Sequence, residues 1–424
     1  MEVCRRVPSP DRKHDQEAPI MNQYVRFNTA RFLSLVSIVP IEIYVVFQMA
    51  ENAEYYTILG LSLLLPLFLE LLLQSEISQI IDSTPRRKIL VFNEVCNTSF
   101  LIITAILFVY SRDIRMFLDF GVLISVEIYL FLAYQTYMAL AREIVSTGSF
   151  GKYNGLSEIL GQLPILLGAF VSSIIFLRIG FLGLILIGVA LHLSAVHELM
   201  KINEKFWAIP SNRGENSLVQ SFRYMKNNLR SIFFIFLLNV PFMAIVAGNL
   251  LKPIYIASFL QGNASLLAAS EGIYALLAMI TGFVAPGMMN RLGEMRSVYL
   301  FTAIFFIGSV LIPTVPVIPL YLVFQMLHGF GNPGVRIARN SMAMRSTPVE
   351  EMGRFNGSVS FLTIISRIMI IGLCIVSLNF LGVRLLLLLM GILVLVSVTF
   401  AGFMWNVSHQ LKNRFDVRKN ALTD

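Results

Sequence analysis

Several ionisable side chains lie inside apolar stretches of this chain, where they could bind protons, pair with one another or hold a charged ligand. A charge at the centre of a bilayer costs about 2.5–3.5 kcal/mol on insertion scales, so such residues usually face a cavity or a partner. Six of the seven carboxylates lie in the first half of the chain, and both cations lie in the second. The carboxylates are Glu42, Glu70, Glu76, Glu94, Glu127, Glu158 and Glu271, and the cations are Lys252 and Arg367.

Arg367 is the strongest candidate for a functional cation. A guanidinium does not deprotonate in proteins, so inside a bilayer it needs a carboxylate or an anionic ligand. We expect Lys252, which lies nearer the end of its apolar stretch, to extend its side chain to water. His328 suits a proton switch, and a hydrogen-bonded structural histidine is the alternative. We place Glu94 and His192 near the membrane interface, where water solvates them.

The composition indicates a membrane protein. The 424 residues are 56% hydrophobic and only 14% charged, much less charge than a soluble chain carries. About twelve continuous apolar stretches each reach the roughly 20 residues that a helix needs to cross a bilayer. Transmembrane strands would instead alternate in polarity. The sequence therefore predicts an all-α membrane protein with twelve transmembrane helices in two pseudo-symmetric six-helix bundles.

The predicted parts follow the order of these stretches. A polar segment in the middle of the chain separates two halves of similar length. We predict a cytoplasmic amino-terminal tail (1–31), a first bundle (32–199), a cytoplasmic linker (200–230), a second bundle (231–405) and a cytoplasmic carboxy-terminal tail (406–424).

Two pairs of loop sequences recur at almost half the chain length. Residues 151–155 read Gly-Lys-Tyr-Asn-Gly, and residues 353–357 read Gly-Arg-Phe-Asn-Gly. Residues 82–88 read Asp-Ser-Thr-Pro-Arg-Arg-Lys, and residues 290–296 read Asn-Arg-Leu-Gly-Glu-Met-Arg. Each loop borders an apolar stretch, so one helical bundle occurs twice. Duplicated bundles around a central site are typical of secondary transporters.

These loops resemble a known family. The segments 82–88 and 290–296 are similar to the Asp-Arg-x-Gly-Arg-Arg signature of the major facilitator superfamily, and 347–357 resembles the loop before its eleventh helix. The first half most resembles the macrolide- and siderophore-exporter branch, from Arg26 through Leu65-Pro66 to Arg87. The chain departs from the signature at Pro85 and at Asn290.

The resemblance implies a cytoplasmic gate in which Asp82 caps a neighbouring helix start and pairs with arginines. Carboxylates are favoured at helix N-termini, and breaking such a latch would free the gate. The arginines could instead be simple positive-inside anchors. The predicted gate residues are Asp82, Arg86, Arg87, Asn290, Arg291, Gly353 and Arg354.

The resemblance also implies that the first, fourth, seventh and tenth helices surround a central cavity. This placement favours Glu42 and Glu127 as proton or substrate sites, with carboxylates hydrogen-bonded between helices as the alternative. The predicted residues for proton coupling or the substrate cavity are Glu42, Glu127, Glu158, Glu271, Arg367, Gln325, His328, Tyr134 and Asn239.

The net charge of +8 follows the predicted topology. Most of the 33 lysines and arginines fall in alternate loops and in both tails, and such loops stay in the cytoplasm. We therefore predict a multi-pass protein of the plasma (inner) membrane with both termini cytoplasmic. Charge distributed in this way predicts no nucleic-acid partner, so we expect the lipid bilayer, a small-molecule substrate and protons to be the partners.

The main functional hypothesis is a secondary active transporter. The sequence has no Gly-x-x-x-x-Gly-Lys-[Ser/Thr] loop for nucleotide hydrolysis, so an ion gradient would supply the work. We hypothesise proton-coupled export of an amphipathic small molecule, such as a drug, siderophore or secondary metabolite, by alternating access. The alternatives are a proton-coupled importer of a small nutrient, a lysolipid flippase, and a non-transporting membrane receptor or scaffold.

Other kinds of site receive no support from the residue spacing. No nucleophile–base grouping suggests catalysis, so we predict that the protein is not an enzyme. No His, Cys and carboxylate cluster has the spacing of a metal site. We predict no metal, no cofactor and a monomeric protein.

Overall fold

The computed structural model describes residues 10–110, 114–144, 150–202, 223–347 and 352–420. The regular elements within these ranges are helices, and nine of those described are long and apolar enough to cross a membrane. The twelve-helix count and the domain boundaries stay predictions, since residues 203–222 of the linker lie outside the described ranges. The side chains of Asp82, Glu158, Gly353 and Arg354, all predicted site residues, also lie outside the described part.

A 3₁₀ turn at Ala53–Tyr55 joins the first two helices. Each long apolar segment becomes a helix because the bilayer offers no water to pair with backbone N–H and C=O groups. The helices are α1 (Pro10–Ala50), α2 (Tyr56–Ser83), α3 (Arg86–Tyr110), α4 (Arg115–Ile144), α5 (Phe150–Met200), α6 (Leu229–Leu237), α7 (Val240–Ser258), α8 (Ala264–Leu292), α9 (Glu294–Thr314), α10 (Ile318–Ser346) and α11 (Met352–Asn420).

The helices α5 and α11 have 51 and 69 residues, too many for one crossing, and a glycine interrupts each. Gly180 has a φ of 61° in α5, and Gly382 has a φ of 71° in α11, a conformation that glycine adopts without a steric penalty. Gly168 and Gly188 flank the first break and lie beside Val39 and Ile41 of α1. Twenty residues of straight helix would separate the two glycines by about 30 Å, so the chain reverses direction at Gly180.

A third interruption separates α6 from α7 at Leu238 and Asn239. The first residues of α7 are Val240 and Pro241, and proline is well tolerated at a helix start because it lacks the N–H that would be unpaired there. Apolar side chains continue on both sides of the break, so one membrane-spanning segment is built from two helices.

The two halves contact each other through equivalent helices. Helix α5 packs against α8, α2 packs against α11, and α1 contacts α7 and α8. In a duplicated bundle, α2 corresponds to α8 and α5 corresponds to α11. The α5–α8 contact and the α2–α11 contact are therefore equivalent. We call the end where α2 meets α3 and α8 meets α9 the tail side, and the end where α1 meets α2 and α7 meets α8 the far side.

The halves meet mainly near the far side. One continuous hydrophobic core there draws buried residues from both halves, such as Leu63 of α2, Leu250 of α7 and Ile371 of α11. At the tail side a separate core around Ile235 and Val298 is built from the second half alone. The described hydrophobic cores therefore join the two halves near the far side. From the absence of a shared core among the described residues at the tail side, we infer that a crevice separates the halves there.

Candidate functional site

Opposite charges meet between the two halves near mid-membrane. An Arg367 Nη1 of α11 lies 3.8 Å from Glu70 Oε2 of α2, and the guanidinium carbon lies 5.6 Å from the ring centre of Phe242. Glu127 of α4 is half-buried and within electrostatic range of both charges. The predicted cation thus has carboxylates from two helices of the opposite half as neighbours.

A second group of charges lies beside the first. Lys252 of α7 pairs with Glu271 of α8, and Glu42 of α1 is within electrostatic range of both and of Glu127. The expectation that Lys252 reaches water is wrong, because the residue is only 6% exposed. The predicted residues Glu42, Glu127, Glu271 and Arg367 therefore belong to one mid-membrane cluster, which Glu70 and Lys252 complete.

Closer to the tail side, Asn239 organises a polar group at the break between α6 and α7. Its Nδ2 donates to Thr363 Oγ1 of α11 at 2.6 Å, and its Oδ1 accepts a hydrogen bond from Arg339 of α10. Tyr134 of α4 lies within electrostatic range of Arg339 and is nonetheless 60% exposed. Tyr134 of the first half therefore lies near Arg339 of the second half.

Two predicted residues of α10 lie apart from the crevice charges. Gln325 is fully buried, one turn after Tyr321 in the core that both halves share. His328 contacts α9 instead: its Nε2 lies 2.9 Å from Ser309 Oγ, and its ring stacks on Phe305 at 4.4 Å. His328 therefore lies on the α9 side of α10, as a hydrogen-bonded structural histidine would.

The described gate residues lie at the tail side. Arg87 Nη1 donates to the Ile202 carbonyl at 2.7 Å, so the start of α3 is tied to the chain just beyond α5. Arg86 is buried and Arg291 is exposed. Asn290 lines a cavity of about 470 Å³ between the ends of α8, α9 and α10. The structure thus places these residues at helix ends, and the predicted latch of Asp82 stays a prediction because that side chain lies outside the described residues.

A buried polar network inside the first half was not predicted. Glu94 accepts hydrogen bonds from Ser34 at 2.6 Å and Tyr129 at 2.5 Å, and its other carboxylate oxygen lies 2.5 Å from His192 Nδ1. Glu94 and His192 are 1% and 0% exposed. Their expected place near the membrane interface is therefore wrong, because both side chains point into the bundle and not along it toward water.

Sequence reasoning also missed Arg339. The predicted topology counted it among the positive charges of a cytoplasmic loop, whereas α10 continues to Ser346. The signal was present in the spacing, because Gln325, Asn332, Arg336 and Arg339 recur at intervals of three, four or seven residues and share one helix face.

Metal-binding geometry does not occur in the part of the chain that the structure describes. No group of three or more His, Cys, Asp or Glu side chains there could hold a metal ion.

No protein-family model and no curated protein matches the sequence. Many solved structures are similar in fold, among them three transporters. The nucleoside transporter NupG superposes with a TM-score of 0.62 at 12% identity, covering 89% of this chain and 99% of that one. An inward-facing bacterial homologue of the iron transporter ferroportin gives 0.64 at 14%, covering 88% and 99%. A bacterial metal transporter gives 0.61 at 13%, covering 91% and 98%.

These similarities, together with the helix arrangement, define the class of fold. The chain is a multi-pass membrane protein, and the residues that the structure describes form an all-helical fold of the major-facilitator type. All three of these structures are transporters by name. Identities of 12–14% establish the fold alone, so the exporter branch stays a prediction.

Proposed function

We propose that this protein is a secondary active transporter that exports an amphipathic small molecule in exchange for protons. The observation that carries the proposal is the contact between Glu70 and Arg367 across the two halves, at the closed end of a crevice that opens on one side. Alternating access requires the halves to separate at the far side, and that movement would pull these charges apart. A mid-membrane charge that loses its partner needs a replacement.

Protons and substrate would supply the replacement charges. When Arg367 leaves Glu70 and Glu127, protonation of those carboxylates would remove the unpaired negative charge. A membrane potential contributes about 2.3 kcal/mol per elementary charge per 100 mV, so such a proton links the gradient to the opening of the halves. We assign this coupling to Glu127 and Glu42, since both are half-buried and within electrostatic range of each other.

The tail side is cytoplasmic in this proposal. The predicted charge asymmetry puts both tails there, so the crevice of the described structure would collect its substrate from the cytoplasm. The predicted location is the plasma (inner) membrane. We assign Asp82, Arg86 and Arg87 to a latch that keeps the tail side closed while the far side is open.

Reconstituted flux tests the proposal. Purified protein in liposomes would be loaded with amphipathic fluorescent dyes carrying a positive, a neutral or a negative group, and dye movement would be followed with and without a pH gradient. We expect gradient-dependent flux of at least one dye, lost in Glu127→Gln and Arg367→Ala at equal reconstitution. Arg230→Gln, which removes an exposed arginine at the start of α6, is the matched control.

Two results would overturn this function. Flux of no dye under any gradient would favour a receptor or scaffold, and wild-type flux in both variants would remove the mid-membrane cluster from coupling. The direction of dye transport is measured in vesicles in which the orientation of the protein is known. Movement from the tail side to the far side supports export, whereas accumulation on the tail side would replace export with import.

A further inference from the structure

Arg339 holds a positive charge on the crevice wall with only neutral hydrogen-bond acceptors among the described residues. Its Nε and Nη2 donate to Asn340 Oδ1 at 3.2 and 2.9 Å, and its Nη1 donates to Asn239 Oδ1. A guanidinium carries five N–H donors, so these three bonds leave two, one on each terminal nitrogen. Paired terminal nitrogens match the two oxygens of a carboxylate or phosphate.

The surroundings reinforce the positive potential at this point. Arg336 lies one turn earlier on the same helix, within electrostatic range of Arg339. Asn239 directly precedes the 19-residue helix α7, and the N-terminus of a helix carries a partial positive charge with unpaired N–H groups. The Asn239–Arg339 hydrogen bond therefore brings a guanidinium and a helix start to the same place.

The location favours a ligand over a purely structural cation. Arg339 is half-buried, and a desolvated charge is costly unless an opposite charge compensates it. The facing wall offers Tyr134, a hydroxyl donor that is 60% exposed. Farther toward the far side, four carboxylates outnumber the two cations Lys252 and Arg367 in the mid-membrane cluster. An anion is therefore favoured in the tail-side part of the crevice.

We propose that Arg339, supported by Asn239 and the start of α7, binds the anionic head group of the transported molecule. This inference rests on the proposed function and narrows its substrate to an amphipathic anion with a carboxylate or phosphate group. The head group would receive the two remaining Arg339 donors and the Tyr134 hydroxyl, while its apolar part extends along the crevice toward Phe242. Arg336 contributes charge at longer range.

Binding without any gradient tests this assignment separately from transport. Octyl phosphate, octanoate and octylammonium would be titrated into the full-length protein in phosphatidylcholine nanodiscs, with calorimetric detection. We expect both anions to bind and octylammonium to bind much more weakly. Arg339→Gln should weaken anion binding about ten-fold or more, since a hydrogen bond to a charged group is lost, and Arg230→Gln should bind as wild type does.

A further variant and a change of lipid distinguish the remaining explanations of anion binding. Arg339→Lys keeps the charge without the two-nitrogen fork, so we expect an intermediate affinity for the anions. Nanodiscs with added phosphatidylglycerol show the source of the head group: competition by this lipid supports a lipid-derived anion, and its absence supports a soluble one. Unchanged anion affinity in a folded Arg339→Gln protein, or equal binding of octylammonium, would overturn the anion site. Anion binding without flux would instead overturn transport alone.

Discussion

Glu70 of α2 and Arg367 of α11 lie 3.8 Å apart, and this contact joins the two halves of the protein directly. Both side chains are mostly buried, with 19% and 18% of their surfaces exposed. The far-side core lies on one side of the pair and the open crevice lies on the other. The pair thus lies at the boundary between the closed and the open parts of the interface, where it favours closure of the far side.

Removing either charge should let the far side open more often. Glu70→Gln and Arg367→Gln each remove the attraction, and we expect the equilibrium to shift about five-fold, a typical coupling of about 1 kcal/mol. Cys374 reports the shift because it is 1% exposed in the shared core. Its alkylation by a maleimide should accelerate about five-fold in a Cys4→Ser, Cys96→Ser background.

A double-mutant cycle identifies the pair as the cause. If the two side chains act through each other, Glu70→Gln with Arg367→Gln should accelerate Cys374 alkylation no more than either single change. Additive effects would mean that each charge acts through a different partner. The same alkylation rate in all four proteins would contradict a role of the pair in far-side closure.

A second prediction concerns the close approach of α2 and α11. A Cβ atom at Gly60 would lie 2.3 Å from Ile375 Cγ1, so Gly60→Val overpacks this contact by about 1–3 kcal/mol. We expect the halves to separate at the far side, with faster alkylation of Cys374. Ile375→Ala in the same chain should restore the slow rate, because it removes the clashing atoms.

A glycine on open surface provides the control for Gly60. A Cβ atom at Gly282 of α8 would have no neighbouring atom within 4 Å, so Gly282→Val makes the same change in helix propensity as Gly60→Val without a clash. Slow alkylation in Gly282→Val and fast alkylation in Gly60→Val would support the packing argument. Equally fast alkylation in both variants would assign the effect to the change from glycine to valine in a helix and not to the clash with Ile375.

The fold was accessible from sequence because the bilayer restricts the possible structures. Long apolar stretches must become helices there, and the repeated loops at 151–155 and 353–357 predict two related halves. The breaks at Gly180 and Gly382 follow from the same length limit, since neither α5 nor α11 fits one crossing. The break at Asn239 could not be predicted in this way, because it does not follow from the length of an apolar segment.

The partners within the site were less accessible. The cost of an isolated guanidinium predicts that Arg367 has a counter-charge, but the choice of Glu70 depends on how α2 and α11 approach in three dimensions. The position of Glu94 along its apolar stretch gave a wrong prediction of its surroundings, because its side chain points toward His192 inside the bundle. Arg339 was missed because its place in a charged run suggested a loop.

A third prediction concerns the buried network around Glu94. Glu94→Ala leaves His192, Tyr129 and Ser34 without their shared acceptor, and removing one partner of a buried charged group costs about 3–5 kcal/mol. Thermal unfolding of the detergent-solubilised protein should therefore begin at a clearly lower temperature. Glu76→Ala, which removes an exposed carboxylate of α2, should change the unfolding little. Equal unfolding temperatures for the two variants would show that the network is not important for stability.

The last prediction concerns the buried amide of Gln325. The side chain is fully buried, and neither of its polar atoms has a hydrogen-bond partner among the described residues. An unpaired buried polar group costs about 1–3 kcal/mol, so Gln325→Leu should raise the unfolding temperature.

Asn332, two turns along α10, is the matched control for Gln325. It is also buried, but its Nδ2 donates to Tyr274 Oη at 2.6 Å, so Asn332→Leu should lower the unfolding temperature. If Gln325→Leu lowers it as much, a buried water must complete the bonds of the amide. If the substrate supplies them instead, the variant is stabilised when empty but gains less stability than wild type when the substrate is added. The sign of the change without ligand and its size with ligand together determine which role Gln325 has.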